Sequence, residues 1–426
     1  MIEIIDAGKV GLAELLQHRE EQAPDVSEAV KAILADVRAR GDVAVREYTE
    51  RFDGAKLDDM RVSASEIEAA VAQFEPSYID ILREAAGNIR RFHEKQLRQG
   101  FVMADRPGMV LGQKVTPLAR VGVYVPGGTA AYPSTVLMDV VPAQVAGVDE
   151  IVMTTPPGPD GKVNPVILAA ASVLGVEQIY KVGGAQAIAA LTYGTDTVPR
   201  VDKIVGPGNL YVATAKKLVY GEVGIDMIAG PSDVLVLADE SAKAEVVAAD
   251  MLAQAEHDKN AAAILVTTSA ELARQVLRAL EAQLAVLPRR EIAEISIKNN
   301  GKLIVAESMA QAVEIANGFA PEHLEICTDD PFSLLGMVRN AGSIFLGHNT
   351  PEALGDYFAG PNHTLPTGGT SRFYSPLSVD DFVKKSSYLY YSQEALENAS
   401  DKVIAFAQSE GLDGHARSVS VRFDIT

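Results

Sequence analysis

The stretch Val121-Gly122-Val123-Tyr124-Val125-Pro126-Gly127-Gly128 decides the fold class, because it joins a short apolar strand to a glycine turn. A helix is predicted over residues 134–146, and the next apolar strand is Ile151-Val152-Met153. A strand, a helix of about ten residues and a second strand, in this order, predict a βαβ unit with parallel strands.

The same alternation continues to about residue 230. The further predicted elements are helix 165–174, strand 179–182, helix 185–191, strand 203–205 and helix 210–218. Glycine falls at or just after the carboxyl end of each strand, which is the edge where open α/β sheets bind ligands. These features predict one compact α/β domain over residues 120–231.

A second series of strands and helices begins at Val234-Leu235-Val236-Leu237. It continues as helix 242–257, strand 263–266, helix 270–284, strand 303–305, helix 309–316 and strands 324–327 and 343–346. Amphipathic helices are also predicted before residue 119, over about 25–41, 43–52, 65–74 and 78–96. These early helices need a sheet to cover, so the first domain is predicted to be inserted into the second.

The predicted fold class is therefore α/β, with two Rossmann-like parallel-sheet domains, one inserted in the other, and helical N- and C-terminal extensions. Residues 1–24 would form an N-terminal arm, and residues 25–119 together with 232–375 the larger domain. Residues 120–231 would form the inserted domain, and residues 376–426 a helical C-terminal tail.

Composition limits the kind of protein and its partners. The chain has 426 residues, of which 47% are hydrophobic and 22% charged, as expected for a globular protein of roughly two or three domains. A net charge of −19 argues against nucleic acid or an anionic membrane surface as a partner. No secretion signal and no apolar run of ~20 residues is present, so a cytoplasmic protein is expected. The single cysteine, Cys327, excludes an internal disulfide and a thiolate-rich metal site.

The stretch Ala320-Pro321-Glu322-His323-Leu324-Glu325 places a carboxylate beside an imidazole, just before an apolar run. Neighbouring residues on an extended backbone point to opposite sides, so Glu322 and His323 could serve two different protons. Histidine titrates near neutral pH, and burial shifts the pKa of a carboxylate toward it, so the pair suits acid–base catalysis. The alternative is that Pro321 ends a helix and the pair only caps the next strand.

Two other polar groups are candidates for function, and the first of them has the spacing of a weak metal-ligand pattern. Gln254-Ala255-Glu256-His257 closes a predicted helix, and its first and last residues would leave one face of that helix. Asp356 and His363 lie in a Gly- and Pro-rich stretch, 355–366, that predicts a loop. The alternatives are a solvated helix end for the first group and Asx-type turns for the second.

The tail carries a further candidate in Glu410-Gly411-Leu412-Asp413-Gly414-His415. Gly411 is typical of a helix C-cap, so His415 is predicted to project from an irregular segment beyond the last long helix. A histidine in such a place is usually solvated.

These blocks, in this order, together with Val205-Gly206-Pro207-Gly208-Asn209 and Ala229-Gly230-Pro231-Ser232, closely resemble the histidinol dehydrogenase family over essentially the whole chain. The resemblance implies one Zn²⁺ per site, bound by Gln254, His257, Asp356 and His415. It implies acid–base roles for Glu322 and His323, and it implies NAD contacts at Tyr124, Gln186 and Asn209, on the inserted domain. The implied substrate contacts are Ser232, Gln254, His257, His323, Asp356, Glu410 and His415.

In this family the tail crosses to the other subunit, so Glu410 and His415 would complete the partner's site in a homodimer. The implied reaction is the two-step, four-electron oxidation of L-histidinol to L-histidine through L-histidinal, with two NAD, in histidine biosynthesis. A zinc- and NAD-dependent dehydrogenase of another small hydroxylated substrate, such as a diol, is the alternative within the same fold. The carboxylate of Glu410 favours a cationic substrate over an anionic one.

The dinucleotide fingerprint G-x-G-x-x-G is absent from the sequence. Gly206-Pro207-Gly208-Asn209-Leu210-Tyr211 fails at its last position, so NAD binding rests on the resemblance alone. A nucleotide site shallower than in ordinary dinucleotide folds is expected. A metal-bound α/β module without catalytic activity is a further alternative, although it would not need both Glu322 and His323.

Overall fold

A computed structural model describes residues 2–16, 24–127 and 131–423. The chain divides into two compact units, the first comprising Met1–Gln96 and Leu118–Phe382, the second Leu97–Pro117 and Val383–Thr426. Residues 17–23 of the predicted arm and Gly128 of the first turn lie outside the described residues.

The strands within the described ranges are β1 (Ile4–Asp6), β2 (Phe101–Arg106), β3 (Met109–Pro117), β4 (Arg120–Tyr124), β5 (Glu150–Thr155), β6 (Gln178–Lys181), β7 (Lys203–Val205), β8 (Gly224–Ile225), β9 (Asp233–Ala238), β10 (Ala262–Thr267), β11 (Lys302–Val305), β12 (His323–Cys327), β13 (Ser343–Leu346) and β14 (Val383–Tyr391).

The helices are α1 (Leu12–Leu15), α2 (Ser27–Arg40), α3 (Asp42–Asp53), α4 (Ala64–Val71), α5 (Pro76–His93), α6 (Pro133–Ala146), α7 (Pro165–Val173), α8 (Gly184–Tyr193), α9 (Leu210–Val219), α10 (Ala244–Ala255), α11 (Ala270–Leu284), α12 (Arg290–Asn300), α13 (Met309–Phe319), α14 (Phe332–Leu335), α15 (Glu352–Leu354), α16 (Gln393–Ser409) and α17 (Asp413–Ser420). A π-helical turn, Gly355–Ala359, continues α15.

The first unit contains a six-stranded parallel sheet in the order β1-β11-β10-β9-β12-β13. Strand β12 lies between β9 and β13, in a register that places His323 beside Val234 on one side and Ser343 on the other. Val234 and Val236 pack against α10 and α11 on one face, whereas Leu235 and Leu237 pack against α13 on the other. Helices therefore cover both faces, as parallel sheets require.

The first unit also contains a five-stranded parallel sheet in the order β6-β5-β4-β7-β8. The strand order reverses between β4 and β7, so the carboxyl ends of these two strands flank a crevice of the kind that binds ligands. Residues of α2, α8 and α9 pack into a single apolar cluster with strand residues such as Tyr124 and Ile204. The predicted α/β class with two parallel sheets is confirmed.

The second unit contains a three-stranded antiparallel sheet in the order β14-β3-β2, followed by α16 and α17. The predicted helical tail is present as α16 and α17, but the prediction is wrong over Val383–Tyr391, which is a strand that pairs with Met109–Pro117 along its whole length. The prediction of helical structure in the arm is also incomplete, because Ile4–Asp6 adds a parallel edge strand beside Lys302–Val305. In the part of the chain that the structure describes, no helix has the length and apolar character needed to cross a membrane.

Candidate active site

The candidate active site lies at the amino ends of β9 and β12, where Asp233 and His323 are the first strand residues. Helix α13 ends at Phe319 and is capped by Ala320, whose φ of 52° is left-handed, and Pro321 then directs the chain into β12. The backbone N–H of Glu322 donates to the Asp233 carboxylate at 2.8 Å, and the N–H of Asp233 donates to the Glu322 carboxylate at 3.1 Å. This reciprocal pair of hydrogen bonds fixes the start of both strands.

Three carboxylates surround the buried imidazole of His323. Nδ1 lies 3.9 Å from an oxygen of Glu322 and 3.9 Å from an oxygen of Glu352, and Nε2 lies 3.6 Å from Asp356. The expectation that Glu322 and His323 point to opposite sides is wrong, because the Glu322 side chain turns back toward the N–H of Asp233. Nε2 is buried and, apart from the Asp356 carboxylate 3.6 Å away, has no hydrogen-bond partner among the described residues.

The electrostatics of this cluster follow from its burial and its excess of carboxylates. Burial alone would lower the pKa of His323, but the negative charges of Glu352, Glu322 and Asp356 outweigh it and hold that pKa well above its usual value. Burial raises the pKa of Glu322 to about 8 and the pKa of Glu352 to about 7. A site with more carboxylates than cations must take up protons or bind a cation.

Gln254 and His257 reach the same cluster from the end of α10. With its amide nitrogen toward Glu352, the buried Gln254 side chain donates to both Glu352 oxygens, at 3.0 and 3.1 Å. This orientation leaves its carbonyl oxygen available to a donor or a cation. The helix ends at Ala255, so His257 lies in the following turn and not on the helix face that was predicted.

His257 and Asp356 are electrostatic neighbours. His257 is an exposed residue, yet the protein around its ring displaces enough water to lower its pKa, and the charge of Asp356 acts in the opposite direction. The pKa of Asp356 is low despite burial, because His323, His363 and His257 all stabilise its negative charge. Asp356 lies in the π-helical turn Gly355–Ala359, so the prediction of an irregular loop is wrong at this position.

Two residues of this site, Glu352 and Asp233, were not identified from the sequence, whereas His363 was named there as a candidate without a role. Glu352 is four residues before Asp356 on the same short helical segment, a spacing that places both carboxylates on one face. Asp233 is the first residue of β9, and only its hydrogen bond from the N–H of Glu322 shows that it belongs to the site. His363 is half-buried, the loss of water around its ring lowers its pKa, and its Nε2 lies 3.5 Å from the hydroxyl of Thr135.

A metal could be bound here on the chemistry of the side chains. One ligand atom each of His323, Glu352 and Asp356 lies within 4.8 Å of the others. Together with the carbonyl oxygen of Gln254 and the ring of His257, these are nitrogen and oxygen donors of the kind that bind zinc without thiolates. Of the four ligands implied by the resemblance, Gln254, His257 and Asp356 belong to this neighbourhood.

Glu410 and His415, the other predicted site residues, belong to the second unit. Glu410 caps α16, and the left-handed Gly411, with φ 71°, follows it as predicted for a helix end. His415 is exposed and lies within α17, so the prediction that it projects from an irregular tail is wrong.

The residues implied to contact NAD lie after the carboxyl ends of strands in the five-stranded sheet. Tyr124 ends β4, its hydroxyl accepts a hydrogen bond from the N–H of Gly184 at 3.2 Å, and burial raises its pKa to about 12. Asn209 follows β7 and caps α9, accepting from the N–H groups of Tyr211 and Val212. Gln186, in α8, is buried, and neither polar atom of its amide has a partner among the described residues. An unpaired buried amide at this edge fits a site built for a polar ligand.

Ser232, the remaining predicted substrate contact, directly precedes β9. Its carbonyl oxygen accepts a hydrogen bond from the N–H of Ala262 at 3.1 Å, which places it at the amino edge of the six-stranded sheet. It therefore lies at the same edge as Asp233 and His323.

Comparison with known proteins confirms the resemblance seen in the sequence. Residues 16–423 match the family model described as histidinol dehydrogenase. The histidinol dehydrogenase of Geobacillus kaustophilus is 57% identical over 396 residues, 93% of either chain, and that of Heliobacterium mobile is 52% identical over 426 residues, 100% of either chain. The crystal structure of histidinol dehydrogenase from Elizabethkingia anophelis matches with a TM-score of 0.94 at 39% identity, covering 99% of this chain and 98% of that one.

Proposed function

This chain belongs to the histidinol dehydrogenase family, and we propose that it oxidises L-histidinol to L-histidine through L-histidinal, with two NAD as oxidants, in histidine biosynthesis. The names of the reported relatives argue against the alternative of another hydroxylated substrate. A cytoplasmic location stays a prediction from the sequence.

The metal would be Zn²⁺, bound by Gln254, His257 and Asp356 with His415 of the partner subunit. This proposal is supported by the excess of buried carboxylates around His323 and by the orientation of Gln254, whose amide nitrogen bonds to Glu352. When bound, zinc would hold the amine and imidazole nitrogens of the substrate and so orient its hydroxyl. Ser232 and the partner's Glu410 would complete the substrate contacts.

His323 would act as the base in both oxidations. Each oxidation requires a proton to leave oxygen as hydride leaves carbon, and the free Nε2 of His323 is the imidazole nitrogen available to accept it. The raised pKa of His323 means that the ring carries a proton at neutral pH in the metal-free chain, so it must lose that proton before it can act as a base.

Glu322 would activate the water that hydrates the aldehyde between the two oxidations. Its pKa, raised to about 8 by burial, lies in the range where a carboxylate is an effective base. The hydride would pass to NAD, which the residues Tyr124, Gln186 and Asn209 would bind. The unpaired amide of Gln186 is the structural feature that supports this location.

A homodimer with a shared site follows from the proposed role of the tail. Glu410 and His415 lie in the second unit, and both would serve the partner's site. The observation that carries the proposal as a whole is the buried cluster of His323, Glu322 and Asp356 at one sheet edge in a chain of this family.

The test is anaerobic turnover of a limiting amount of L-histidinol with excess NAD. Two molecules of reduced cofactor are expected for each L-histidinol consumed, with L-histidine as the product. One molecule of reduced cofactor per substrate, or no reduction at all by a zinc-loaded dimer, would refute the proposal. His323→Ala serves as the control for reduction that does not arise at this site.

A further inference from the structure

A cavity of about 800 Å³ lies beside the carboxyl ends of β4 and β5, between the loops that follow these strands and helix α4. Gly127, which follows β4, and Pro156, which follows β5, line it. This is the edge where open α/β sheets bind ligands, and the volume is that of a small-molecule site.

The cavity is suited to the end of the dinucleotide that does not react. All of its lining residues lie between Asp53 and Leu168, so none belongs to the six-stranded sheet or to the segments that carry His323 and Asp356. In the proposed reaction the nicotinamide meets the substrate at His323, so the adenosine half is the part that would occupy this cavity.

Asp53 is an unusual residue in the wall of this cavity. It is the last residue of α3, where the helix dipole disfavours a negative charge. Its Oδ2 is buried and has no hydrogen-bond partner among the described residues. Burial raises the pKa of Asp53 to about 6, so the carboxylate is still ionised at neutral pH. A half-buried carboxylate with one buried, unpaired oxygen at this end of a helix costs stability, which indicates a role in binding.

The position of Asp53 links it to the proposed NAD site. Its charge adds to the effect of burial in raising the pKa of Tyr124, so the two side chains are electrostatic neighbours. Two further carboxylates, Glu66 and Asp160, line the cavity, while Lys162 in the same wall is exposed. Lys181 is bound to Glu66 at 2.6 Å, so that pair contributes little net charge.

We propose that Asp53 makes this enzyme select NAD over NADP. Its carboxylate accepts a hydrogen bond from a hydroxyl of the adenosine ribose, as acidic residues do in other dinucleotide folds, and repels a phosphate esterified at that hydroxyl. The inference rests on the proposed function, because it assigns the adenosine end of the same NAD site.

The test compares NAD with NADP in zinc-loaded wild-type enzyme and in Asp53→Asn, at saturating L-histidinol. The wild type is expected to prefer NAD. Asp53→Asn is expected to raise the KM for NAD and to shift the ratio of kcat/KM for NADP over NAD toward NADP by about tenfold or more. The kcat with NAD should change little, because Asp53 does not touch the reacting atoms.

Asp160→Asn is the matched control. Asp160 lines the same cavity and is exposed, and its carboxylate bonds to the N–H of Lys162 within its own loop. This variant should keep the wild-type ratio. Asp53→Ser provides a second variant if Asp53→Asn does not fold, and calorimetric titration of each protein with NAD and with NADP gives a readout independent of turnover.

The outcomes separate the two proposals. If the wild type reduces NAD and folded Asp53→Asn keeps the wild-type preference in both turnover and binding, Asp53 does not select the cofactor, and the proposed function stands. A wild type that uses NADP as well as NAD would also overturn the selection. A wild type that reduces neither cofactor would overturn the proposed function and this inference with it.

Discussion

Glu322 has a structural role as well as its proposed catalytic one, because it exchanges hydrogen bonds with Asp233. The carboxylate of Glu322 accepts the N–H of Asp233 at 3.1 Å, so one of its oxygens is used in positioning the strands. The other oxygen remains for chemistry. Because the raised pKa of Glu322, about 8, comes mainly from burial, its basicity is a property of the folded site.

Glu322→Gln is expected to separate the two oxidations. The amide oxygen can still accept the N–H of Asp233, but the amide cannot take a proton from water. Oxidation of L-histidinal should therefore slow by about 10²–10⁴-fold, and oxidation of L-histidinol should slow less. Single-turnover measurements started from the alcohol and from the aldehyde check this, with His323→Ala as the control that should slow both. Equal slowing of the two steps in Glu322→Gln would exclude it as the water-activating base.

Cys327 invites assignment as a nucleophile, because it is the only thiol in a chain that oxidises an aldehyde. The structure confirms the burial expected from its apolar neighbours, since its exposed fraction is 4%. Burial, with the nearby carboxylates of Glu325 and Asp250, raises the pKa of this thiol far above its usual value, so almost no thiolate forms.

Cys327→Ala and Cys327→Ser should therefore retain most of the turnover of L-histidinol to L-histidine. The expected loss is about 1 kcal/mol in the free energy of unfolding, because a buried side chain is altered. Steady-state kinetics and thermal unfolding of both variants check this. A decrease of about a thousandfold in aldehyde oxidation, in a variant that folds and binds zinc, would instead identify a covalent mechanism.

At the scale of elements, the loop after β7 depends on one glycine. Gly206 has φ of +112°, and a Cβ there would meet the carbonyl oxygen of Tyr124 at the end of β4. The loop therefore packs directly against the neighbouring strand, and this contact positions Asn209 at the start of α9.

Gly206→Ala should displace this loop and raise the KM for NAD by about tenfold or more, with a smaller effect on the KM for L-histidinol. Gly221→Ala is the matched control, because Gly221 has a similar φ of +107° but nothing within 4 Å of the added Cβ. Both variants carry the same backbone strain, and only Gly206→Ala adds the collision. Similar cofactor KM values for the two variants would show that the collision does not matter.

Helix α6 carries the buried carboxylate of Asp139, which binds the loop that contains Thr364. Asp139 accepts a hydrogen bond from the hydroxyl of Thr364 at 2.9 Å, and burial, with the charge of Asp226, raises its pKa to about 8 although Lys216 acts against this. Its native pKa is thus higher than the ordinary value of 3.8 that applies to the unfolded chain. The native state then holds a proton that the unfolded state has lost, so stability falls as pH rises toward 8.

Asp139→Asn keeps the acceptor oxygen and cannot ionise. The difference in the free energy of unfolding should therefore move in favour of the variant by up to about 1.4 kcal/mol per pH unit between pH 5 and 8. Denaturant unfolding of both proteins at several pH values in this range measures the difference. Parallel pH profiles would mean that Asp139 is ionised in the native protein.

Sequence patterns located most elements of the first unit to within a few residues, because its buried strands are short apolar runs bounded by glycine or proline. Helix α12 was missed because isoleucines at 292, 295 and 297 follow no clear helical stripe. Strand β14 was missed because its residues are almost all exposed and show no apolar alternation. Its partner, β3, is more than two hundred residues away in sequence, and pairing over such a distance leaves no local signal.

At the scale of the whole molecule, the site combines residues that are distant in sequence. Glu322 and His323 were predicted as candidates from local chemistry, and the ligand set came from the resemblance. Glu352 and Asp233 were not identified, because their importance depends on the register of β9 with β12 and on the fold of the segment after β13. The local sequence shows which chemical group each side chain offers, whereas the neighbours of that group depend on the tertiary fold.

The shared site of the proposed homodimer can be tested by complementation between two inactive variants. His323→Ala removes the base from the first unit, and His415→Ala removes the proposed metal ligand from the second, so each homodimer should be inactive. In a mixed dimer, one site would receive an intact His323 from one subunit and an intact His415 from the other. Random exchange at equal concentrations forms mixed dimers as half of the population, so recovery to about a quarter of wild-type activity is expected.

The control is a mixture of His323→Ala with Glu322→Gln, since both residues lie in the same unit and in the proposed scheme serve the same subunit's site. No mixed dimer of these two variants contains an intact site, so overall turnover to L-histidine should stay at the level of the separate variants. Subunit exchange is followed independently with differently tagged chains. If exchange is complete and the His323→Ala and His415→Ala mixture stays inactive, His415 does not complete the partner's site, and the zinc would need a different fourth ligand.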